Sequence, residues 1–222
     1  MKTALITGTS SGLGEDLALQ LLLNGWKVYG LSRTANIKLR EFDHYTQIIA
    51  DISKKESVIN AVKNLSELDC VINNAAVFKM AKFEDTSFED IENLLNTNIL
   101  GSIYVTKAAL NLVKENSKII FINSVAGINE FENQSIYCAS KHALTAFSSI
   151  LSKELKERKI KTVSIHPGGI DTPLWNHVLY PVGDINDALN VRDITNLILY
   201  ILNSPNYIEY KTITMFPEIE NH

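Results

Sequence analysis

The stretch Lys2-Thr3-Ala4-Leu5-Ile6-Thr7-Gly8-Thr9-Ser10-Ser11-Gly12-Leu13-Gly14 decides the fold. Its first six residues are a short β-rich run. The run breaks at three glycines, which lead into a helical pattern of Leu13, Leu17 and Leu21 closing at Gly25. Strand, glycine loop and helix together make a unit that cradles phosphate. Glycine permits a tight turn and close backbone approach, while the free N–H groups and dipole of the helix start favour an anion. A plain glycine turn between strand and helix is the competing reading, and three glycines at this spacing argue against it.

Outward from that unit, residues 26–31 read as a second strand ending at Ser32-Arg33-Thr34. An acidic residue about 20 positions past the glycine loop would accept from a ribose 2′-OH and repel a 2′-phosphate, and a cation does the reverse. Here the cation is Arg33, and Asp43 lies too far along to replace it. The pattern favours NADP(H), with NAD(H) possible; a solvent-facing arginine is the bland alternative. Residues 47–50 read as a third strand, followed by Asp51-Ile52 and a helix over 53–64. Asp51 is suited to cap that helix or to accept from an adenine amino group. Residues 68–72 form a fourth strand, almost wholly apolar as expected when both faces are covered. It ends at Asn73-Asn74-Ala75-Ala76, where small residues let the backbone approach a ligand.

The spacing predicts one long helix over 87–114, broken in regularity at 98–101, because Asn is a poor interior helix residue. Strands over 118–122, 160–166 and 210–216 and helices over 135–158 and 187–202 complete the chain. Strands and helices alternate throughout, which specifies a doubly wound Rossmann-type α/β fold. A parallel sheet of about seven strands carries helices on both faces, in one domain spanning 1–222.

Composition narrows the function classes. The 222 residues are 45% hydrophobic and 21% charged, with net charge −4 and no Lys or Arg run longer than two. The field that would hold a polyanion is missing, so no nucleic acid is expected as a partner. No apolar run approaches a membrane span or signal sequence, and a cytoplasmic protein is expected. The two cysteines, Cys70 and Cys138, read as free thiols, and the five histidines lack ligand spacing, so no metal is expected.

Tyr137-Cys138-Ala139-Ser140-Lys141 opens the helix over 135–158. Positions four apart share a helix face, so a phenol and an ammonium can enter one site, where the cation favours the phenolate. With eight Tyr in the chain, a Tyr-x-x-x-Lys match is weak alone. Tyr207 and Lys211 repeat the spacing in what reads as a turn entering a strand.

Taken in order, these residues resemble the short-chain dehydrogenase/reductase family in its compact single-domain form. Thr7-Gly8-x-x-x-Gly12-x-Gly14 is similar to its glycine loop, Asn73-Asn74-Ala75 to its fourth-strand motif, and Pro167-Gly168 with Thr172 to its nicotinamide-side loop. Asn98, Ser124, Tyr137 and Lys141 match its catalytic tetrad, with Ser124 standing 13 residues before Tyr137. The resemblance implies cofactor contacts from Gly8, Ser10, Ser11, Gly12, Leu13, Gly14, Ser32 and Arg33. It extends them to Asp51, Ile52, Asn74, Ala75, Ala76, Tyr137, Lys141, Pro167, Gly168, Ile170 and Thr172. It further implies that Tyr137 exchanges a proton with a carbonyl or alcohol oxygen and that Ser124 polarises that oxygen. Lys141 would lower the Tyr137 pKa and bind the nicotinamide ribose, and Asn98 would hold a water leading to Lys141.

The expected activity is NADP(H)-dependent reduction of an aldehyde or ketone, or the reverse, in a homodimer or homotetramer. A non-catalytic NADP(H)-binding sensor or scaffold is the second reading, and a sugar-nucleotide epimerase or dehydratase the third. Ala76 departs from the Gly often found there, and no basic residue precedes Gly12. Fourteen residues separate Thr172 from the helix expected at Asp187, which suggests a short lid and broad substrate use. Phe78, Val125, Ile128, Leu174 and Trp175 are candidates for an apolar substrate pocket.

Overall fold

The computed structural model describes residues 1–175 and 187–218. Its core is a seven-stranded sheet made of β1 (Thr3–Thr7), β2 (Lys27–Ser32), β3 (Tyr45–Ile49), β4 (Leu68–Asn73), β5 (Val113–Ile122), β6 (Lys161–Pro167) and β7 (Thr212–Met215). The spatial order is β3-β2-β1-β4-β5-β6-β7, and all neighbours run parallel. Period-2 alternation sends successive side chains to opposite faces. Ala4, Ile6, Cys70, Ile72, Ile120 and Ile122 pack under α1 (Gly12–Leu23) and α6 (Val191–Asn203). Leu5, Val71, Ile119 and Phe121 pack on the other face, under α2 (Lys55–Val62), α4 (Ser102–Ala109) and α5 (Ser135–Glu154). The chain leaves β1 toward β2 and β3, then returns to place β4 on β1's other side. That reversal opens a crevice beyond the carboxyl ends of β1 and β4, where open α/β sheets bind ligands.

Three elements differ from the sequence expectation. The helix expected over 87–114 is α3 (Phe88–Leu95), a π-helical turn (Asn96–Gly101) and α4. The expected break takes this form as the Asn98 amide bonds the main chain of Val77. Val113 is already in β5, paired with Leu68. The register then shifts before Cys70 meets Lys118, and Asn116 takes the left-handed φ of 64° within the excess. The last helix starts at Val191 rather than Asp187, since Leu189 forms a parallel bridge with Ile170. Leu189 N donates to Gly169 O at 2.9 Å and Asp171 N to Leu189 O at 3.0 Å. Asn190 then caps α6 in a reciprocal box with Asp193. Most of the segment read as a short lid, 176–186, lies outside the described residues.

Candidate active site

A cavity of about 720 Å³ runs along the carboxyl edge of the sheet. Gly8 follows β1, Arg33 follows β2, Asp51 follows β3, Asn74 follows β4, Ser124 follows β5 and Pro167-Gly168 close β6, and all of them line it.

The glycine loop forms one end. Gly8 and Gly12 have φ of +78° and +57°, which L side chains rarely adopt. A Cβ on Gly14 would lie 2.1 Å from Gly8 O, so only glycine lets the helix start this close to β1. Ser11, at the N-cap of α1, makes no side-chain cap hydrogen bond, so the first turn, whose Gly12, Leu13 and Gly14 line the cavity, keeps uncapped N–H groups. This cradle suits a phosphate. Ser10, Ser11, Gly12, Leu13 and Gly14 all line it, with Thr172 and Pro173 packed over Gly12. Thr7 Oγ1 accepts from Asn74 N at 2.9 Å and Ala75 N at 3.0 Å, and Asn74 Nδ2 donates to Thr7 O at 2.9 Å. These bonds lock the end of β4 to the glycine loop, with Ala75 and Ala76 on the wall.

Beneath the loop lies a polar network that the sequence analysis missed. The Tyr45 hydroxyl bonds Thr9 Oγ1 at 3.1 Å and Gln47 Oε1 at 3.0 Å, and Asn36 Nδ2 donates to Thr9 O at 3.1 Å. Tyr45 lies flat over Gly30, where a Cβ would come within 2.2 Å of its hydroxyl oxygen. The network also claims Ser32, which donates to Thr34 O at 2.6 Å and accepts from Gln47 Nε2 at 3.1 Å. Ser32 is buried and does not line the cavity, contrary to its expected cofactor contact. As the last residue of β2 its side chain turns into the strand pair, leaving Arg33 and Thr34 on the wall. Burial raises the Asp51 pKa. Hydrogen bonds from Ser53 Oγ (2.7 Å) and Ser53 N (3.0 Å), aided by the charges of Lys54 and Arg33, lower it further than burial raises it, and the net shift is downward. Asp51 and Arg33 therefore face one region as opposite charges, and Ile52 adjoins them.

At the other end stand Ser124, Tyr137 and Lys141, all on the cavity wall. Ser124 is set by His166. A main-chain carbonyl only accepts, so His166 Nδ1–H donates to Ser124 O at 3.0 Å, and Nε2 accepts the Ser164 hydroxyl at 2.8 Å. Burial, the largest influence, keeps the His166 pKa below its ordinary value and the ring neutral. Tyr137 is 7% exposed; burial pushes its pKa up to about 12 against the opposing hydrogen bond from Ser124. Lys141 is 2% exposed, and burial lowers its pKa to about 8. Its ammonium donates to Ile122 O at 3.2 Å and Asn123 O at 3.4 Å, lying 5.7 Å from the Tyr137 ring centre. The expectation that Lys141 lowers the Tyr137 pKa is thus reversed in balance. Desolvation of the phenol is the largest influence, Lys141 is not among the groups that move its pKa, and the ammonium is directed at main-chain carbonyls.

Asn98 is the tetrad member that does not line the cavity. Its Oδ1 accepts from Val77 N, and its two N–H donors go to Val77 O and Ser140 Oγ. The Asn98 side chain thereby anchors the segment after β4. Ile170 and Thr172 line the cavity, as do Phe78, Val125, Leu174 and Trp175. Ile128 does not; it follows a tight turn at Val125–Gly127 and faces outward. Phe131, Gln134 and Phe216 were missed, since nothing in their spacing separates them from surface or core positions. The decoy Tyr207 is 87% exposed and does not line the cavity. Among the described residues no helix is long and apolar enough to cross a membrane.

A doubly wound parallel sheet, with a phosphate cradle and a Ser-Tyr-Lys group sharing one cavity, defines a nucleotide-dependent oxidoreductase of the Rossmann type. The sequence profile described as short chain dehydrogenase matches residues 2–180, and the chain belongs to that family. An uncharacterized oxidoreductase of Staphylococcus aureus (strain MRSA252) is 32% identical over 97% of both chains. Among solved structures, 3-ketoacyl-(acyl-carrier-protein) reductase from Brucella melitensis, complexed with NADH, superposes with a TM-score of 0.88 at 26% identity, covering 98% of this chain and 97% of that one. A short chain dehydrogenase from Burkholderia cenocepacia J2315, in complex with NADP, gives 0.88 at 25% identity over 99% and 98%.

Proposed function

We propose that this protein is an NADP(H)-dependent carbonyl reductase or alcohol dehydrogenase. The observation that carries the reading is the convergence of Ser124, Tyr137 and Lys141 on the cavity that also holds the glycine cradle. The cradle would take the pyrophosphate at the start of α1 and Arg33 the 2′-phosphate, with Asp51 toward the adenine. Ala75, Ala76, Pro167, Gly168, Ile170 and Thr172 would flank the nicotinamide. A bound nicotinamide supplies the two-electron transfer. With its pKa at about 12, the Tyr137 phenol is protonated at neutral pH and donates its proton to the carbonyl oxygen as that oxygen gains charge. Ser124 donates to the same oxygen and polarises it. Lys141, cationic below about pH 8, holds positive charge behind the phenol and favours its ionised product. In the oxidative direction Tyr137 takes the proton back.

The two solved relatives with bound NADH and NADP support a dinucleotide cofactor, and Arg33 favours the phosphorylated one. Convergence of Ser124, Tyr137 and Lys141 on the cavity argues against a non-catalytic sensor. One domain would carry both cofactor and catalytic groups. A homodimer or homotetramer through α3 and α5 belongs to the same reading, and it suits the 86% exposed Phe88 and half-exposed Ile150 on those helices. The test is the initial rate of NADPH oxidation, beside NADH, on aldehydes, ketones, diketones and β-keto esters. Carbonyl-dependent turnover that prefers NADPH is expected; NADPH binding without turnover on any of them would favour the sensor.

A further inference from the structure

Arg33 is exposed on the cavity wall, and among the described residues no hydrogen bond or ion pair holds its guanidinium. Asp51 influences it through charge alone. Where this side chain can reach is therefore set by its main chain, the Ser32-Arg33-Thr34 bend at the end of β2. Ser32 closes that bend by donating its hydroxyl proton to Thr34 O at 2.6 Å.

The donors and acceptors behind the bend can each be assigned. A main-chain N–H only donates, so the atom that Asn36 N meets at 3.0 Å is Gln47 Oε1, and the Gln47 amide has one orientation. Because Oε1 only accepts, the Tyr45 hydroxyl gives it a proton at 3.0 Å, and Thr9 Oγ1 donates to Tyr45 Oη at 3.1 Å. On its other side Gln47 Nε2 donates to Gly30 O and to Ser32 Oγ, each at 3.1 Å. Asn36 adds a second tie, donating from Nδ2 to Thr9 O at 3.1 Å while Oδ1 accepts from Leu39 N at 3.2 Å. One run of bonds thus passes from Thr9 through Tyr45, Gln47 and Ser32 to Thr34. Thr9, Ser32, Asn36 and Tyr45 are all buried, so any other arrangement would strand a donor or an acceptor away from water.

We infer that Gln47, with Tyr45, is a positioning residue for recognition of the adenosine 2′-phosphate, acting through Arg33. One end of the run is Thr9, beside Gly8 in the phosphate cradle, and the other is the bend that carries Arg33. The pyrophosphate and the 2′-phosphate of one dinucleotide stand at a separation fixed by its adenosine, and the run holds their two sites at a matching separation. NADH has nothing for the Arg33 end, so loosening the run falls on NADPH. This inference rests on the reading that Arg33 binds the 2′-phosphate. A network that only braces β2 against β3 is the competing role.

The test is a double-mutant cycle on the full chain, with NADPH and NADH dissociation constants read by fluorescence titration for wild type, Gln47→Met, Arg33→Ala and the double variant. Gln47→Met keeps the length, removes both amide functions and adds no charge. It is expected to weaken NADPH binding about threefold to tenfold, within the range for coupled neighbouring residues, and to leave NADH within about twofold. In the Arg33→Ala background the NADPH effect should largely vanish. Equal losses for both cofactors, or the same NADPH loss with and without Arg33, would assign the network to bracing and overturn the inference. So would unchanged NADPH affinity in Gln47→Met while Arg33→Ala still weakens it. Tyr45→Phe, which removes only the hydroxyl, carries the same cycle if Gln47→Met does not fold. An Arg33→Ala variant with an unaltered NADPH-to-NADH ratio, or a wild type that binds neither cofactor, overturns the cofactor reading and the inference with it.

Discussion

Asn98 grips the main chain of Val77 from both sides, accepting its N–H at 2.8 Å and donating to its carbonyl at 2.9 Å. The π-helical turn holds Asn98 where its amide can span that distance. Asn98→Leu would leave the Val77 N–H and C=O unpaired in a partly buried setting. A loss of about 2 kcal/mol is expected in chemical denaturation, two partly buried groups each at the low end of about 1 to 3 kcal/mol per unsatisfied group. Cofactor affinity should fall with it, since Val77 follows Ala75-Ala76 on the cavity wall. An unchanged denaturation midpoint with a large fall in kcat would instead mark Asn98 as part of a proton path.

Tyr137→Phe removes the phenolic proton and little else, because the ring keeps its edge contact with Phe78. Turnover is expected to fall by roughly 10² to 10⁴, the range for a positioned general acid, while the NADPH dissociation constant stays within a few-fold. Tyr207→Phe should leave both unchanged. Undiminished turnover in Tyr137→Phe would remove the residue from the chemistry.

Arg33→Asp replaces the cation on the wall beside Asp51 with a second carboxylate. NADPH binding should weaken tenfold or more and NADH binding much less, as read by fluorescence titration of both. Equal losses for the two cofactors would reject 2′-phosphate recognition.

Lys141 carries a pH signature. Its native pKa of about 8 lies below its unfolded value of about 10.5, so between those values the unfolded chain binds more protons and stability rises with pH. The cost of burying the charge is fully present below about pH 8 and is relieved above it. Between pH 8 and 9.5 the gain should be on the order of 1 to 2 kcal/mol. The buried Cys70 thiol, held well above its ordinary pKa by desolvation, titrates in the opposite sense. The stability of wild type minus that of Lys141→Met, measured by denaturation across this range, removes that common contribution. A flat difference would place the Lys141 pKa elsewhere. Carbonyl reduction should decline as pH rises through about 8, as the cation behind Tyr137 is lost.

Much of this architecture was legible because its signals are local. Apolar runs of five or six residues marked β1, β2 and β4, and the glycines before Leu13 marked the cradle, since φ and close approach depend on the residue itself. Tyr137 and Lys141 were legible through helical spacing. Long-range partnership was not. Ser32 reads as a cofactor contact beside Arg33 until its hydroxyl is seen to donate to Thr34 O and to accept from Gln47, fifteen residues on. Tyr45 over Gly30 is likewise a cross-strand fact without a local trace. Asp187 looks like an acidic helix start, and only the Ile170–Leu189 bridge shows why the helix waits for Asn190. The Lys141–Tyr137 balance was misjudged because charge proximity is visible in a spacing and desolvation is not.

That bridge also separates two timescales of sequence change. Because Gly169, Asp171 and Leu189 are tied by main-chain bonds, the chain leaves and re-enters the sheet's edge at fixed points whatever lies between. Closing a longer excursion between pinned ends costs only about 0.6 kcal/mol per doubling of its length. Chain length can therefore change between Trp175 and Asp187 while the cavity-lining Thr172, Leu174 and Trp175 are kept. Ser124, Tyr137 and Lys141 are held by other strands and helices and need not register the change.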